Sequence, residues 1–346
     1  MTSHLKNIKT NFWIFTLAVS FIPGLSIKAQ DMHFSQFFTT PLMTNPANTG
    51  MSGDNLRFAN NYRNQWAKVG EPYKTFYTSL DQKLSISGQS FGLGGLIIHD
   101  QSSAYNLTAN EFLLSLSYSK IINNNQFSFG LQPGVGFKSF NMNSLTFGNQ
   151  FDQVTSQFNS QLPSSESDLT GNLHYFDLNI GIFWRTLIRN ILPSAGLSVS
   201  HILRPVVTFS TSSQTSRLPM KVTFNGQVVV PVSSQWDITP CLLFSSTPGV
   251  SEFLLGSTEE YKLKDLLGPV KGVYAINMFR LNPLSDVDAM IFGGGIKFSG
   301  FDLGLSYDIN VSPLSKSTSL NGAFEISLVF IGNQSKKAVK EPCYIY

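Results

Sequence analysis

From Phe301 to Val311 the chain alternates without a break. Phe301, Leu303, Leu305, Tyr307, Ile309 and Val311 take every second position, and Asp302, Gly304, Ser306, Asp308 and Asn310 fill the gaps. Successive side chains of a strand point to opposite faces, so this period of two predicts an extended ribbon with one apolar and one polar face. The same dyad recurs at Phe127, Phe129, Leu131, Pro133, Val135 and Phe137, and again at Phe176, Leu178, Ile180, Ile182 and Trp184. Read along the whole chain, it predicts about 14 strands, near 55–63, 73–84, 91–99, 108–121, 126–139, 174–186, 192–203, 218–231, 235–245, 250–260, 269–280, 288–298, 301–311 and 319–331. Most run about 9–14 residues, longer than strands of soluble sheets and long enough to cross a bilayer at a tilt. After the first 29 residues no stretch of 18 apolar residues occurs, which excludes an α-helical membrane protein.

The links between these strands carry a second signal. Links 64–72, 100–107, 140–173, 204–217, 281–287 and 312–318 are long, whereas Ile86-Ser87-Gly88-Gln89, Asn123-Asn124-Asn125, Ser233-Ser234 and Ser299-Gly300 are short. Alternating long and short connections are the habit of outer-membrane barrels, with short periplasmic turns and longer loops outside. A secreted β-sandwich is the other all-β reading, but its inner strand face would be apolar, whereas here the second face carries Gly, Ser, Asn, Gln and some charge, which suits a wet or plugged lumen. We therefore expect an all-β protein, an antiparallel transmembrane β-barrel of about 14 strands with an N-terminal plug or brace segment. Composition agrees: charged residues make up 13% of the chain, against about 25% in ordinary soluble domains. A formal net charge of +3 argues against a nucleic-acid binder, and 2 Cys argue against a disulfide scaffold.

The ends read differently from the middle. Lys6 and Lys9 precede an apolar run from Phe12 to Leu25, and Ala29 stands before Gln30, the pattern of a signal peptide over residues 1–29. Its removal leaves 21 basic and 21 acidic residues. The expected organisation is then a periplasmic or plug segment over 30–54, the barrel over 55–331 and a periplasmic tail over 332–346, with Lys336, Lys337 and Lys340 in the tail. Cys241 and Cys343 lie far apart in sequence, and their pairing is not legible there.

Catalytic patterns are weak. Gly88-Gln89-Ser90-Phe91-Gly92 matches a nucleophile elbow, but it stands between two alternating strands and not between strand and helix. Gly293-Gly294-Gly295 lacks the spacing and the lysine of a phosphate loop and reads as a close backbone approach in a strand. His4, His33, His99, His174 and His201 never reach metal-ligand spacing, so no metal is expected. Asp302, Asp308, Glu111 and Glu325 fall on polar strand faces and read as lumen-lining.

The segment Gln30 to Gly53 is too rich in turns for a spanning strand. It contains Phe34-Ser35-Gln36 and Asn45-Pro46-Ala47-Asn48-Thr49-Gly50, and Tyr62-Arg63-Asn64-Gln65-Trp66 follows at the end of the first strand. In this order and spacing these pieces resemble the PorP/SprF family of type IX secretion system outer-membrane proteins, and Tyr307-Asp308 resembles that family's terminal strands. The resemblance covers essentially the whole mature chain. It implies a cell outer-membrane barrel without catalysis or cofactor that works with the secretion and gliding machinery. It further implies, as partners, other secretion components, outer-membrane lipid and a secreted protein with a C-terminal sorting domain to be exported or held at the surface. Asn45, Pro46, Gly50, Tyr62, Arg63, Asn64, Gln65 and Trp66 are the candidate partner-binding or plug residues. Arg63 with Trp66 reads either as a partner patch or as a clamp on the N-terminal segment. The link from Asn141 to Asn172, longest in the chain, is the expected docking surface outside the cell. A channel for small apolar solutes is the alternative, and a barrel-borne lipid hydrolase is disfavoured for want of a Ser/His pair.

Overall fold

The computed structural model describes residues 32–53, 56–67, 72–102, 107–140, 148–152, 155–159, 162, 171–209, 215–263, 268–282, 287–312, 315 and 320–332. The expected signal peptide over 1–29 and the expected tail over 332–346 lie outside them, apart from Gly332. The barrel strands are β1 (Arg57–Gln65), β2 (Tyr73–Ile86), β3 (Gln89–Ser102), β4 (Leu107–Ile122), β5 (Asn125–Ser139), β8 (Asn172–Thr186), β9 (Leu192–Ser200), β10 (Lys221–Pro231), β11 (Trp236–Thr247), β12 (Val250–Lys262), β13 (Val270–Leu281), β14 (Val287–Phe298), β15 (Phe301–Asn310) and β16 (Asn321–Ile331). Each pairs antiparallel with its neighbours, and β1 pairs with both β2 and β16, which closes a 14-stranded barrel. Closure gives every strand a hydrogen-bonded neighbour on both sides, as a bilayer requires, with β8 pairing to β9 from Ile180 to Arg185. It also rules out the two-sheet sandwich.

The alternation resolves into an outside and an inside. On β15, Phe301, Leu303, Leu305 and Tyr307 face outward at 38–45% exposed, while Ser306 and Asp308 are buried in the interior. The molecule is thus apolar on its outer wall, while its inner wall mixes polar and charged side chains with apolar clusters. Trp236 and Tyr261 sit ring to ring at 5.0 Å on the outer wall near the short-turn end, where aromatic rings suit the headgroup level.

Two connections depart from the expected alternation. β11 and β12 meet through a tight turn, Thr247 opposite Val250 with Gly249 at φ +94°, at the end where links are otherwise long. Conversely the link after Lys262 reaches to Val270 at the short-turn end. The link between β5 and β8 is also not structureless: Gly148–Gln150 forms a 3-10 turn and β6 (Phe151–Asp152) pairs with β7 (Gln157–Phe158). Two-residue strands carry no period, which is why the sequence did not show them.

The N-terminal segment folds as three short pieces: 3-10 helix Phe37–Thr39, one α-helical turn Pro41–Thr44 and 3-10 helix Pro46–Asn48. Pro41 and Pro46 open their turns, where a missing N–H costs nothing. The Asn45 side chain accepts the Ala47 N–H at 2.9 Å as an N-cap. The hydroxyls of Thr39, Thr40 and Thr44 donate back to backbone carbonyls, and such bonds compete with continued helix. These pieces lie inside the barrel. Phe34 and Leu42 pack with Ala59, Tyr77, Leu96, Ile98 and Leu113 of β1 to β4. Phe37 packs with Cys241, Leu243, Leu254, Ile276, Met278 and Ile291 of β11 to β14, and Ala47 and Met51 pack with Phe183 of β8. Each interior apolar cluster is therefore built around this segment, and burying a Leu, Phe or Met there is worth about 1.5–3 kcal/mol.

Candidate functional site

The stretch Asn45 to Gly50 rests in a trough floored by glycines of the wall. A Cβ on Gly130 of β5 would stand 2.2 Å from the Ala47 nitrogen, and one on Gly92 of β3 would stand 2.2 Å from the Thr49 oxygen. A Cβ on Gly181 of β8 would stand 2.0 Å from the Asn45 Oδ1, and on Gly196 of β9 2.6 Å from its Nδ2. No residue with a side chain fits at these places while the segment is there. Asn45 also donates to the Ile182 carbonyl at 2.9 Å, and Ser117 and Ser128 donate to the Thr49 and Ala47 carbonyls at 2.7 and 2.9 Å. Gly50 turns at φ +72°, a left-handed conformation that suits glycine. That turn aims its N–H at Asp81 Oδ2, 2.7 Å away. Asp81 is held in turn by Arg57, whose Nε and Nη2 reach its two oxygens at 2.8 and 2.9 Å, while Nη2 also donates to the Asn48 carbonyl at 3.0 Å.

The other end of the segment is fastened by charge. The backbone N–H groups of Ser35 and Gln36 donate to the two oxygens of Glu325 at 2.7 and 2.9 Å. Ser35 Oγ donates to Asp308 at 2.8 Å and accepts from Arg63 Nη1 at 2.9 Å and from Arg280. Arg63 pairs with Glu325 and, at 3.0 Å, with Asp308; Arg280 pairs with Asp308 and with Glu252, each at 2.9 Å. The Gln36 amide spans Ser306 and Ser327 at 2.9 and 2.7 Å. Two guanidinium groups and three carboxylates from β1, β12, β13, β15 and β16 thus converge, all buried, on two residues of the segment. Charges taken out of water persist only when paired and hydrogen-bonded on nearly every side.

The sequence-derived candidates are distributed between these regions. Asn45, Pro46 and Gly50 are in the trough, and Arg63 is in the charge cluster. Tyr62 and Asn64 fall on the opposite parity of β1, with Tyr62 laddered between Phe76 and Ile326 on the outer wall. Gln65 accepts from Arg63 Nε at 3.4 Å. Trp66, at φ +59°, donates its N–H to the Gly322 carbonyl and sets its ring edge-on to Tyr73 at 5.5 Å, at the rim. Arg63 and Trp66 therefore do not form one patch. Ser35 and Gln36 stood out in the sequence only within the motif Phe34-Ser35-Gln36 and not as plug residues, and Arg57, Asp81, Glu252 and Arg280 were not singled out. The signal that could have found them is a charged residue at inward parity in a barrel with few charges. Ser90 sits in β3 opposite Ser85 and Ser119, in no strand-turn-helix setting. The Gly293-to-Gly295 run is the close approach expected, since a Cβ on Gly295 would stand 2.3 Å from the Tyr274 ring. Among the described residues no group of three His, Cys, Asp or Glu is arranged to hold a metal.

Comparison with solved structures returns outer-membrane barrels at low identity. The TodX monoaromatic hydrocarbon channel in a deltaS2 mutant is 10% identical, covering 86% of this chain and 94% of that one, at a TM-score of 0.49. The toluene transporter TbuX of Ralstonia pickettii is 8% identical over 85% of this chain and 92% of that one, at 0.46. BamA of Haemophilus ducreyi lacking POTRA domains 1–3 is 10% identical over 80% and 70%, at 0.42. No curated protein matches the sequence. The family description "Type IX secretion system membrane protein PorP/SprF" matches residues 26–330, nearly the whole chain. With that match over a closed, lipid-facing barrel, the chain belongs to the PorP/SprF family of type IX secretion system proteins and is an outer-membrane protein.

Proposed function

We propose that this protein is a non-enzymatic component of the type IX secretion and gliding machinery that binds a secreted partner with a C-terminal sorting domain and helps to export it or anchor it at the surface. Family membership supports the machinery. The observation that carries the partner-binding part is the uneven distribution of chain outside the wall. The links after β5 and β9 both leave from the long-link end, which by the barrel rule faces outward. The first of them presents Phe151 and Phe158, edge to face at 5.7 Å and both exposed, a kind of aromatic anchor common at interface hot spots. On this reading Asn45, Pro46, Gly50 and Arg63 hold the luminal segment as a plug, while Tyr62, Asn64, Gln65 and Trp66 shape the wall and rim beneath the docking face.

Replacing residues 150–168 by a Gly/Ser bridge tests it. The barrel should fold, and the partner recovered with it from mildly solubilised outer membrane should fall at least tenfold. Full recovery would move the contact to the lumen or the periplasm. Uptake of a small aromatic solute into proteoliposomes tests the channel alternative, and uptake by the wild-type protein at the rate of an open porin would favour it over the plugged reading.

A further inference from the structure

One stretch of the outer wall is not apolar. On β12 the outward positions pass from Leu255 through Ser257 and Glu259 to Tyr261, and on β13 Asn277 lies on the same face between Ala275 and Phe279. Ser257 stands opposite Asn277 in the ladder, and Glu259 stands opposite Ala275. The polar side chains form one group: Ser257 Oγ donates to Glu259 Oε1, and Asn277 Nδ2 donates to Glu259 Oε2 at 2.8 Å. Leu255, Val273, Phe279 and Phe292 surround the group with exposed apolar surface. On the inner face of the same region each carboxylate has a lysine, Asp237 with Lys262 at 2.6 Å and Glu260 with Lys297 at 2.7 Å. Glu259 has no such partner among the described residues.

The group lies within the bilayer and not at its edge. Trp236 and Tyr261, ring to ring at the short-turn end, mark the headgroup level. Glu259 stands one outward position further in along β12, about 5 Å deeper once strand tilt is counted. Its carboxylate is turned deeper still, because Ser257 and Asn277 lie on the side away from Tyr261. A side chain that only sought water would turn the other way, toward the headgroups. An ionisable group against hydrocarbon is costly and is kept where it meets a partner. Beside it the wall thins, since Ala275 faces Gly294 across the next ladder and Gly294 faces Leu305 beyond. Small residues of this kind let a neighbouring backbone come close.

We propose that the outer wall over β12 to β14 is an interface inside the membrane, and that it takes a membrane-spanning segment of another protein bearing a lysine or arginine. The cation meets Glu259, and the segment packs over the dip at Ala275 and Gly294. Charge selects this occupant. A second copy related by a two-fold axis would set Glu259 against Glu259, and a lipid ammonium at the headgroup level stands behind the carboxylate, which is turned toward the bilayer centre. Away from water a carboxylate and a cation attract strongly, so one such pair fixes the depth and register of the partner. The contact uses none of the links after β5 and β9, and it therefore stands or falls apart from the docking face proposed above.

Photo-cross-linking of the full chain in the native outer membrane tests the contact. Benzoylphenylalanine in place of Ala275 should give a protein adduct at least tenfold stronger than the same probe in place of Leu114, an exposed position on β4 across the barrel. Glu259→Gln, which keeps the shape and loses the charge, should lower that adduct at least tenfold, and Glu259→Lys should abolish it. Mass spectrometry of the linked peptide identifies the partner's base, and exchanging that base for Glu should restore the adduct to Glu259→Lys. No protein adduct, an adduct only to lipid or to a second copy, an adduct indifferent to Glu259→Gln, or no rescue by the exchange would each overturn the proposal. A second measurement separates a partner site from a carboxylate that serves the barrel itself. Glu259→Leu should raise the temperature at which the purified barrel in phosphatidylcholine vesicles loses its unboiled gel mobility, because the wall then meets lipid with an apolar side chain. A lowered temperature would assign Glu259 to the fold and overturn the interface.

Discussion

At the scale of single residues, the interior is governed by charges that hold one another. Arg63 faces Glu325 and Asp308, and Arg280 faces Asp308 and Glu252, all of them buried around Ser35 and Gln36. Desolvation makes such a cluster a poor source of net stability, yet removal of one member leaves buried charge short of a counter-charge. Arg63→Met should therefore cost about 3–5 kcal/mol, because Glu325 loses its ion-pair partner and Asp308 keeps only Arg280. Ser35→Ala removes one hydroxyl from among the charges and should cost about 1–3 kcal/mol. Urea unfolding in lipid vesicles measures both, and equal costs for the two variants would contradict the ranking. Ser90→Ala should change neither stability nor secretion, since Ser90 faces only other serines in the ladder.

At the scale of elements, a segment of three short turns takes its place from the trough beneath it. Its own helices are too short to persist alone. Gly92, Gly130, Gly181 and Gly196 come from four strands, and each leaves space that Asn45 to Gly50 occupies. Gly130→Leu should accordingly expel the segment while the fourteen-strand ladder survives, because the change disturbs neither backbone pairing nor the lipid face. Limited proteolysis reads this as new cleavage within residues 32–53, and increased conductance in a planar bilayer reads the same event. A Gly130→Leu protein whose segment stays protected would show that the charge cluster alone holds it.

At the scale of the molecule, an apolar outer wall around a closed ladder is a structure that detergent loosens only with heat. Unboiled and boiled samples from the outer-membrane fraction should migrate differently on an SDS gel, since every strand has a paired neighbour on both sides of a closed sheet. Orientation is checked with single cysteines in a Cys-free background, one at Ser160 in the long link and one at Asn124 in the turn between β4 and β5. An impermeant thiol reagent on intact cells should label Ser160→Cys only. Labelling of Asn124→Cys alone would invert the barrel, and with it the docking face.

The strands and their faces were legible in the sequence because a period of two is local. Phe301 to Asn310 carries its own alternation, and a bilayer outside with a polar lumen inside needs no knowledge of distant residues to impose it. Strand ends fell within a few residues for the same reason, as at Tyr73–Ile86 and Leu107–Ile122. The site was legible only in part. Asn45, Pro46, Gly50 and Arg63 stood out as local motifs, but their partners did not, since Glu325 meets Ser35 across 290 residues of chain. Which inward side chains face one another and which glycines line up under the segment are set by ladder register and closure. Those are properties of the assembled barrel, decided when β1 meets β16, and no local pattern encodes them.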